Sequence, residues 1–323
     1  RSQTVTGVQT CALPIWSRLD RERADVWLRR WLGEEAYRTC WEPLLGLKFF
    51  EYADQVSAAW IWQRIKRLGT SRRSLFQEQL GYLEGGSETL VRALVARIEA
   101  LGGELRLATP VRRVAIADGA VRGVVTDAGE LPVDAVVSTV AIPAAVGMLG
   151  DLDPGLLARY RALPNIGAVC VVHKLARPLS RYFWVNVNDP RLRIPGLVEM
   201  SNLRDTGADH VVYIPYYMPR SHPKFAWDDD AFVAETRQYL QWLNPRLGAG
   251  DFRAARVGRL RYAQPVCGPR FRESLPPIAP GVRGLQVADT SYYYPEDRGI
   301  SESVGLGRAL AAAAFAADGS PRP

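Results

Sequence analysis

Apolar residues recur at helical spacing through "ADVWLRRWLGEEAYRTCWEPLL", where Trp27, Leu28, Trp31, Leu32, Tyr37 and Trp41 fall near one face, with Gly33 and Pro43 as breaks. A second helix is predicted over "SAAWIWQRIKRLG", capped by Ser57 and stopped at Gly69, and the polar "TSRRSLFQEQ" after it reads as a surface loop. Leu90, Val91, Leu94, Val95, Ile98 and Leu101 make one helical stripe that Gly102 and Gly103 end, and Leu105 and Leu107 then alternate as in a strand. A hairpin follows around Asp118-Gly119, then a turn at Asp127-Ala128-Gly129. The almost wholly apolar "DAVVSTV" suits a strand covered on both faces.

From about residue 145 the pattern changes. Four strand-like runs, "GAVCVVHKL", "YFWVNVN", "PGLVEMSN" and "HVVYIPYYM", are separated by Pro, Asn and Asp. A helix opened by acids is predicted at "DDDAFVAETRQYLQWLN". Strand and helix return at "GLQVADT" and "SESVGLGRALAAAAFAADG".

Composition narrows the class of protein. With 323 residues, 47% of them hydrophobic, the chain has ample material for one large or two ordinary domains. The net charge of +7 raises nucleic acid as a partner. Yet 37 of the 41 cationic residues are arginine, spread over every segment among acids with no basic run, which reads as solvated faces. Four scattered cysteines and three scattered histidines make no metal-ligand spacing. The thiols read as reduced, in a cytoplasmic protein. The most apolar stretches are shorter than the roughly 20 residues that span a bilayer. The "WIWQRIKR" helix suits peripheral membrane contact and ordinary packing equally well.

Residues 5–15, "VTGVQTCALPI", resemble the translation of a sequencing adapter, so residues 1–15 are set apart as an artefactual or disordered tail and Cys11 carries no functional meaning. Beyond them, "GYLEGGSETLVRALVARIEALGGELRLATPVRRV", "PVDAVVSTV" and "GLQVADTSYYYPEDRGISESVGLGRALAAAA" stand in the order and spacing of the flavin-dependent amine oxidase superfamily. That group also includes phytoene desaturases and protoporphyrinogen oxidases, and the resemblance covers residues 20 to 319. It implies an α/β fold class, a Rossmann-like FAD/NAD(P)-binding domain with a mixed α+β substrate domain. The FAD-binding part would be discontinuous, 80–142 plus 281–319, with a substrate or cap domain of 16–79 plus 143–280.

The resemblance implies FAD as cofactor and places its contacts. Val111 would lie beside the adenine, Thr139 at the end of the apolar strand, and Asp289 at the ribityl or pyrophosphate region, although Ala288 stands where the family has glycine. Arg298, Gly299, Ile300 and Ser301 would open the last helix toward the flavin, with free amides where the reduced ring gains negative charge. Trp184, Tyr216, Tyr217, Tyr292, Tyr293 and Tyr294 are candidates to line an aromatic substrate pocket or, equally, to pack in core and loops. The family's G-x-G-x-x-G between a first strand and helix is not found. The natural protein is therefore expected to begin upstream and to bind FAD, the 323-residue chain to bind it poorly, and the sheet to show an unpaired edge.

The chemistry implied is hydride transfer from a C–H bond of a small-molecule substrate. Where amine oxidases of the family carry a lysine near the flavin, "GAVCV" puts Val171, with Lys174 shortly after. That favours desaturation or oxidation of an apolar substrate over amine oxidation. A flavin-dependent mutase and a non-catalytic flavoprotein-like scaffold are the alternatives.

Overall fold

In a computed structural model the described residues are 16–70, 72–74, 77–78 and 81–316. The adapter-like segment and Cys11 lie outside them. Helix α1, Ala24–Leu32, has Asp25 in its first turn and Arg29 and Arg30 in its last, each charge opposing the end of the helix dipole it sits on. It stops at Gly33, and a helical turn Glu34–Ala36 and a π-type turn Tyr37–Trp41 lead into α2, Glu42–Phe49. Pro43, expected as a break, instead sits in the first turn of α2, where a missing amide costs nothing. Helix α3, Ala58–Thr70, is capped as the sequence predicts: the Ser57 hydroxyl accepts from the Trp60 amide at 3.2 Å. The loop expected next contains a small antiparallel pair, β1 Arg72–Ser74 with β2 Gln77–Glu78.

Helix α4, Ser87–Ala100, forms as expected, but its apolar stripe does not enter a core: Val91, Leu94, Ile98 and Leu101 are 43–68% exposed. The strand expected at Leu105 and Leu107 is absent, and residues 103–110 carry no regular structure. A strand needs a ladder partner to satisfy its amides, and none lies beside these residues among those described.

The predicted hairpin is present as β3, Val111–Ala117, β4, Ala120–Thr126, and β5, Gly129–Pro132. Asp118 and Gly119 both have positive φ, 52° and 68°, which is the backbone a tight two-residue hairpin turn requires. Strand β6, Val136–Ser138, runs parallel to a distant strand at Leu285–Val287, with Leu285 opposite Val136 and Val287 opposite Ser138. Among the described residues no third strand joins this pair, and Val137 and Val140 stay exposed where covered faces were expected. Two short helices follow, α5 Ile142–Ala145 and α6 Pro154–Arg161.

The remaining strands build one antiparallel sheet: β7 Asn165–Leu175, β8 Trp184–Asn186, β9 Gly196–Glu199, β10 His210–Met218 and β11 Phe252–Pro265, in the order β11-β7-β10-β9-β8. Four of these are the predicted runs. Helix α7, Asp229–Leu243, is capped by the Asp228 carboxylate on the Ala231 amide at 2.7 Å and buries Phe232, Tyr239 and Leu240 against the sheet. The chain closes with the parallel strand already described, β12 Leu285–Val287, and helix α8, Ile300–Ala316. Two apolar cores result. One joins α1, α2 and α3 to the hairpin, α5, α6 and β12, while the other lies between the large sheet and α7.

Candidate functional site

Helix α8 begins at the loop Pro295–Gly299, which side chains of α3 and the end of β11 meet. Its first-turn amides have no acceptor within the helix. Gly299 is half-buried, and Ile300 and Ser301 are exposed. The turn is braced from behind: Ser303 Oγ donates to the Gly299 carbonyl at 2.8 Å and accepts from Tyr293 at 2.9 Å. A side chain at Gly299 would run into the Glu302 carboxylate, which curls over the helix start. That carboxylate is the free end of a flexible chain and can swing aside for a ligand edge.

Helix α3 supplies a row of polar groups to the same loop. Gln63 donates to Glu296, and Arg64 to Asp297. Arg67 lies 3.4 Å from Asp297. Asp297 is nearly buried, and although burial opposes ionisation, Arg64 and its neighbours hold the carboxyl below the usual aspartate range. Arg298 turns the other way, donating to the Ala263 carbonyl and, at 3.0 Å, to Gln264 Oε1, which ties the helix start to the end of β11. Three buried polar atoms here have no hydrogen-bond partner among the described residues: Gln63 Oε1, Asp297 Oδ1 and Arg298 Nε. A fourth, Ser138 Oγ, ends β6. Buried orphan atoms are costly, and each calls for a partner such as an ordered water, an ion or a polar ligand.

Lys48 completes the cluster from α2. It is only 9% exposed, and its amine lies 4.7 Å from the ring centre of Tyr217, 5.4 Å from Trp60 and 5.9 Å from Phe49. Arg64 stacks on the same indole at 4.7 Å. Among the described residues Lys48 has no carboxylate partner. Burial, then the charges of Arg64 and Arg298, push its pKa well below the ordinary lysine range.

The other predicted residues have varied fates. Asp289 is buried and its carboxylate is engaged by the protein itself, Oδ2 accepting from Ile142 N and Oδ1 from Ser291 N, each at 2.8 Å. Val111 opens β3 opposite Thr126, and Thr139 is exposed just after β6. The six aromatic residues do not converge on one pocket. Tyr216 lies in the sheet core, its hydroxyl on Glu235 at 3.0 Å. Tyr294 is in the other core and bonds Ser57 and Asp20. Tyr292 donates to the Pro276 carbonyl at 2.8 Å, and Trp184 is 53% exposed on the edge strand. Only Tyr293 and Tyr217 reach the α8 start and its lysine. Lys48, Gln63 and Arg64 were not singled out from sequence, because each sits in a pattern that reads as an amphipathic helix.

Among the described residues no cluster of ligating side chains could hold a metal ion, and no helix is long and apolar enough to cross a membrane. The apolar side chains Trp60 and Ile61 of α3 face the core. Two open clefts lie away from the α8 start. One of about 390 Å³ is bordered by Arg159, Val266 and Phe271, and another of about 480 Å³ separates α2 from the 187–193 loop.

A flavin fits what the residues offer: bare amides at a helix start, arginines nearby and unpaired buried polar atoms. Comparison with solved structures agrees on the fold. The protoporphyrinogen oxidase assigned in an Exiguobacterium species superposes with a TM-score of 0.66 at 19% identity, over 97% of this chain and 72% of that one. Cyclohexylamine oxidase from Brevibacterium oxydans gives 0.63 at 14% identity, over 98% and 76%. Reduced UDP-galactopyranose mutase gives 0.59 at 12%, over 78% and 58%. Among curated proteins none matches. The family model described as flavin containing amine oxidoreductase matches residues 19–289, most of the chain: the chain belongs to the flavin-containing amine oxidoreductases.

Proposed function

We propose that the protein is an FAD-dependent oxidoreductase of the desaturase or oxidase type, taking a hydride from a C–H bond of an apolar, uncharged organic substrate. Membership of a flavin-containing family makes FAD its cofactor. When bound, FAD supplies the two-electron acceptor. The chain's own part is to hold, orient and polarise. The first-turn amides of α8, with Gly299 allowing close approach, favour negative charge at whatever lies against them. Arg298 fixes that helix start to β11 through Ala263 and Gln264. Val171, at the position where amine oxidases carry lysine, is fully buried in the sheet, and Lys174 is occupied by Asp209 at 3.6 Å.

The reading is carried by Val171 at the position where amine oxidases carry lysine. At the helix start Arg64, Arg67 and Arg298 are matched by Glu296, Asp297 and Glu302, so no net charge there favours an ionic substrate, and a neutral one meets Tyr217 and Trp60. The test is anaerobic bleaching of the flavin in the natural gene product by a panel of cyclic and isoprenoid hydrocarbons and of primary amines. Bleaching by the apolar set alone is expected. Bleaching by amines alone overturns the substrate class, and substrate rearrangement without net bleaching would favour the mutase alternative.

A further inference from the structure

We propose that Lys48 is a further catalytic residue: its amine, boxed by Tyr217, Trp60 and Phe49 beside the start of the last helix, accepts the proton that the substrate loses along with its hydride. The inference rests on the proposed oxidoreductase function and assigns a role to a residue that function leaves unused.

The placement is unusual for a lysine. The side chain is long enough to carry its charge to water, and lysines at the edge of a core ordinarily do so. Lys48 instead keeps its amine among three aromatic rings at 4.7, 5.4 and 5.9 Å. The nearest acid is taken: Asp297 is held by Arg64 and Arg67. A leucine or methionine would serve packing better, so an amine kept here at a cost in stability points to use.

The surroundings suit an amine that gains a proton and gives it up again. Facing it are Arg64 and Arg67 from α3, Asp297 and Arg298 from the loop before α8, and Tyr217 from β10. Burial and the guanidinium charges favour the uncharged amine at rest, with a free lone pair. Once an ammonium forms, the ring faces and Asp297 stabilise it, while the arginines keep it readily discharged.

The step balances as follows. In a substrate with an H–C–X–H unit, where X is carbon, nitrogen or oxygen, the hydride and its two electrons leave carbon for FAD, the oxidant of the proposed reaction. The pair of the X–H bond becomes the second bond between C and X. The proton from X forms a new N–H bond on Lys48 Nζ, turning amine into ammonium, and water later removes it.

Two measurements test this separately from the function it rests on. The chain has only four lysines, Lys48, Lys66, Lys174 and Lys224. In protein carrying isotopically labelled lysine, the NMR signal lost in K48M, or in K48Q should K48M not fold, is that of Lys48. Its titration is expected well below the ordinary lysine range, and an ammonium persisting at neutral pH overturns the proposal whether or not a substrate is known. With any compound that bleaches the flavin in the panel above, single-turnover reduction is expected to slow by about 100-fold or more in K48M and in K48R, with FAD content unchanged. A guanidinium cannot accept the proton, so K48R should not rescue. The acid limb of the rate–pH profile should vanish in both variants. Wild-type rates, or an acid limb that persists, overturn the proposal and leave the oxidoreductase reading intact, whereas a panel with no bleaching and a normally titrating Lys48 sinks both.

Discussion

Replacing Asp289 separates a structural carboxylate from a cofactor ligand. Its two oxygens accept from the Ile142 and Ser291 amides at 2.8 Å, and the residue is 6% exposed. One bond caps α5, which follows β6, and the other starts the 3₁₀ turn Thr290–Tyr293, which follows β12, so a single side chain clamps what leaves both parallel strands. A hydrogen bond to a charged group contributes about 1.5–3 kcal/mol. Losing both, and leaving two buried amides unsatisfied, should cost D289A about 3–5 kcal/mol. D289N keeps one acceptor but turns an NH₂ toward an N–H donor, for about 1–2 kcal/mol. Urea unfolding followed by tryptophan fluorescence measures both. A D289A midpoint unchanged within error, with only flavin retention reduced, would refute the clamp and return Asp289 to the cofactor.

Three further outcomes follow from the packing. His173 is fully buried, and its Nε2 meets Thr236 Oγ at 2.7 Å; that hydroxyl donates to the Phe232 carbonyl, so the ring carries its proton on Nε2 and is neutral. Burial, then the Arg237 charge, lowers its pKa to about 4 from the ordinary 6.5. Because the unfolded chain binds the proton more readily, the contribution is present above pH 6.5 and lost as pH falls toward 4, by about 3 kcal/mol in all; H173Q should flatten that slope in urea midpoints measured across the range. F232A, removing a fully buried ring 5.3 Å from Tyr216, should cost about 3–5 kcal/mol by the same assay. L94E should change this chain's stability by no more than about 0.5 kcal/mol, since Leu94 is 54% exposed, and a larger loss would mean that the stripe on α4 is covered.

Local signals carried most of the fold. Caps at Ser57 and Asp228, the Asp118-Gly119 turn and the alternating runs of β7 to β10 are decided within a few residues, and each forms where the pattern puts it. Pairing across the chain is not local, and there the reading failed. "ELRLAT" alternates like a strand, but no neighbouring strand lies beside it among the described residues. Strand β11 went unread because "FRAARVGRLRY" alternates with arginine and exposes most of its length, yet it pairs with β7 along nearly all of it. The site divides the same way. "DRGIS" is legible as a helix start, whereas Lys48, Gln63 and Arg64 become a cluster only when α2 and α3 fold against the loop before α8.

The claim that the start of α8 serves a flavin is tested most directly by removing one of its amides. Ser301→Pro does so within a helical first turn, where proline is tolerated. FAD binding to the natural gene product and its S301P variant, followed by quenching of flavin fluorescence, should show tight binding by the parent and a loss of about 2- to 30-fold in the variant, equivalent to about 0.3–2 kcal/mol. A parent protein that takes up no FAD, or a variant that binds it equally well with the helix intact by circular dichroism, would contradict the account.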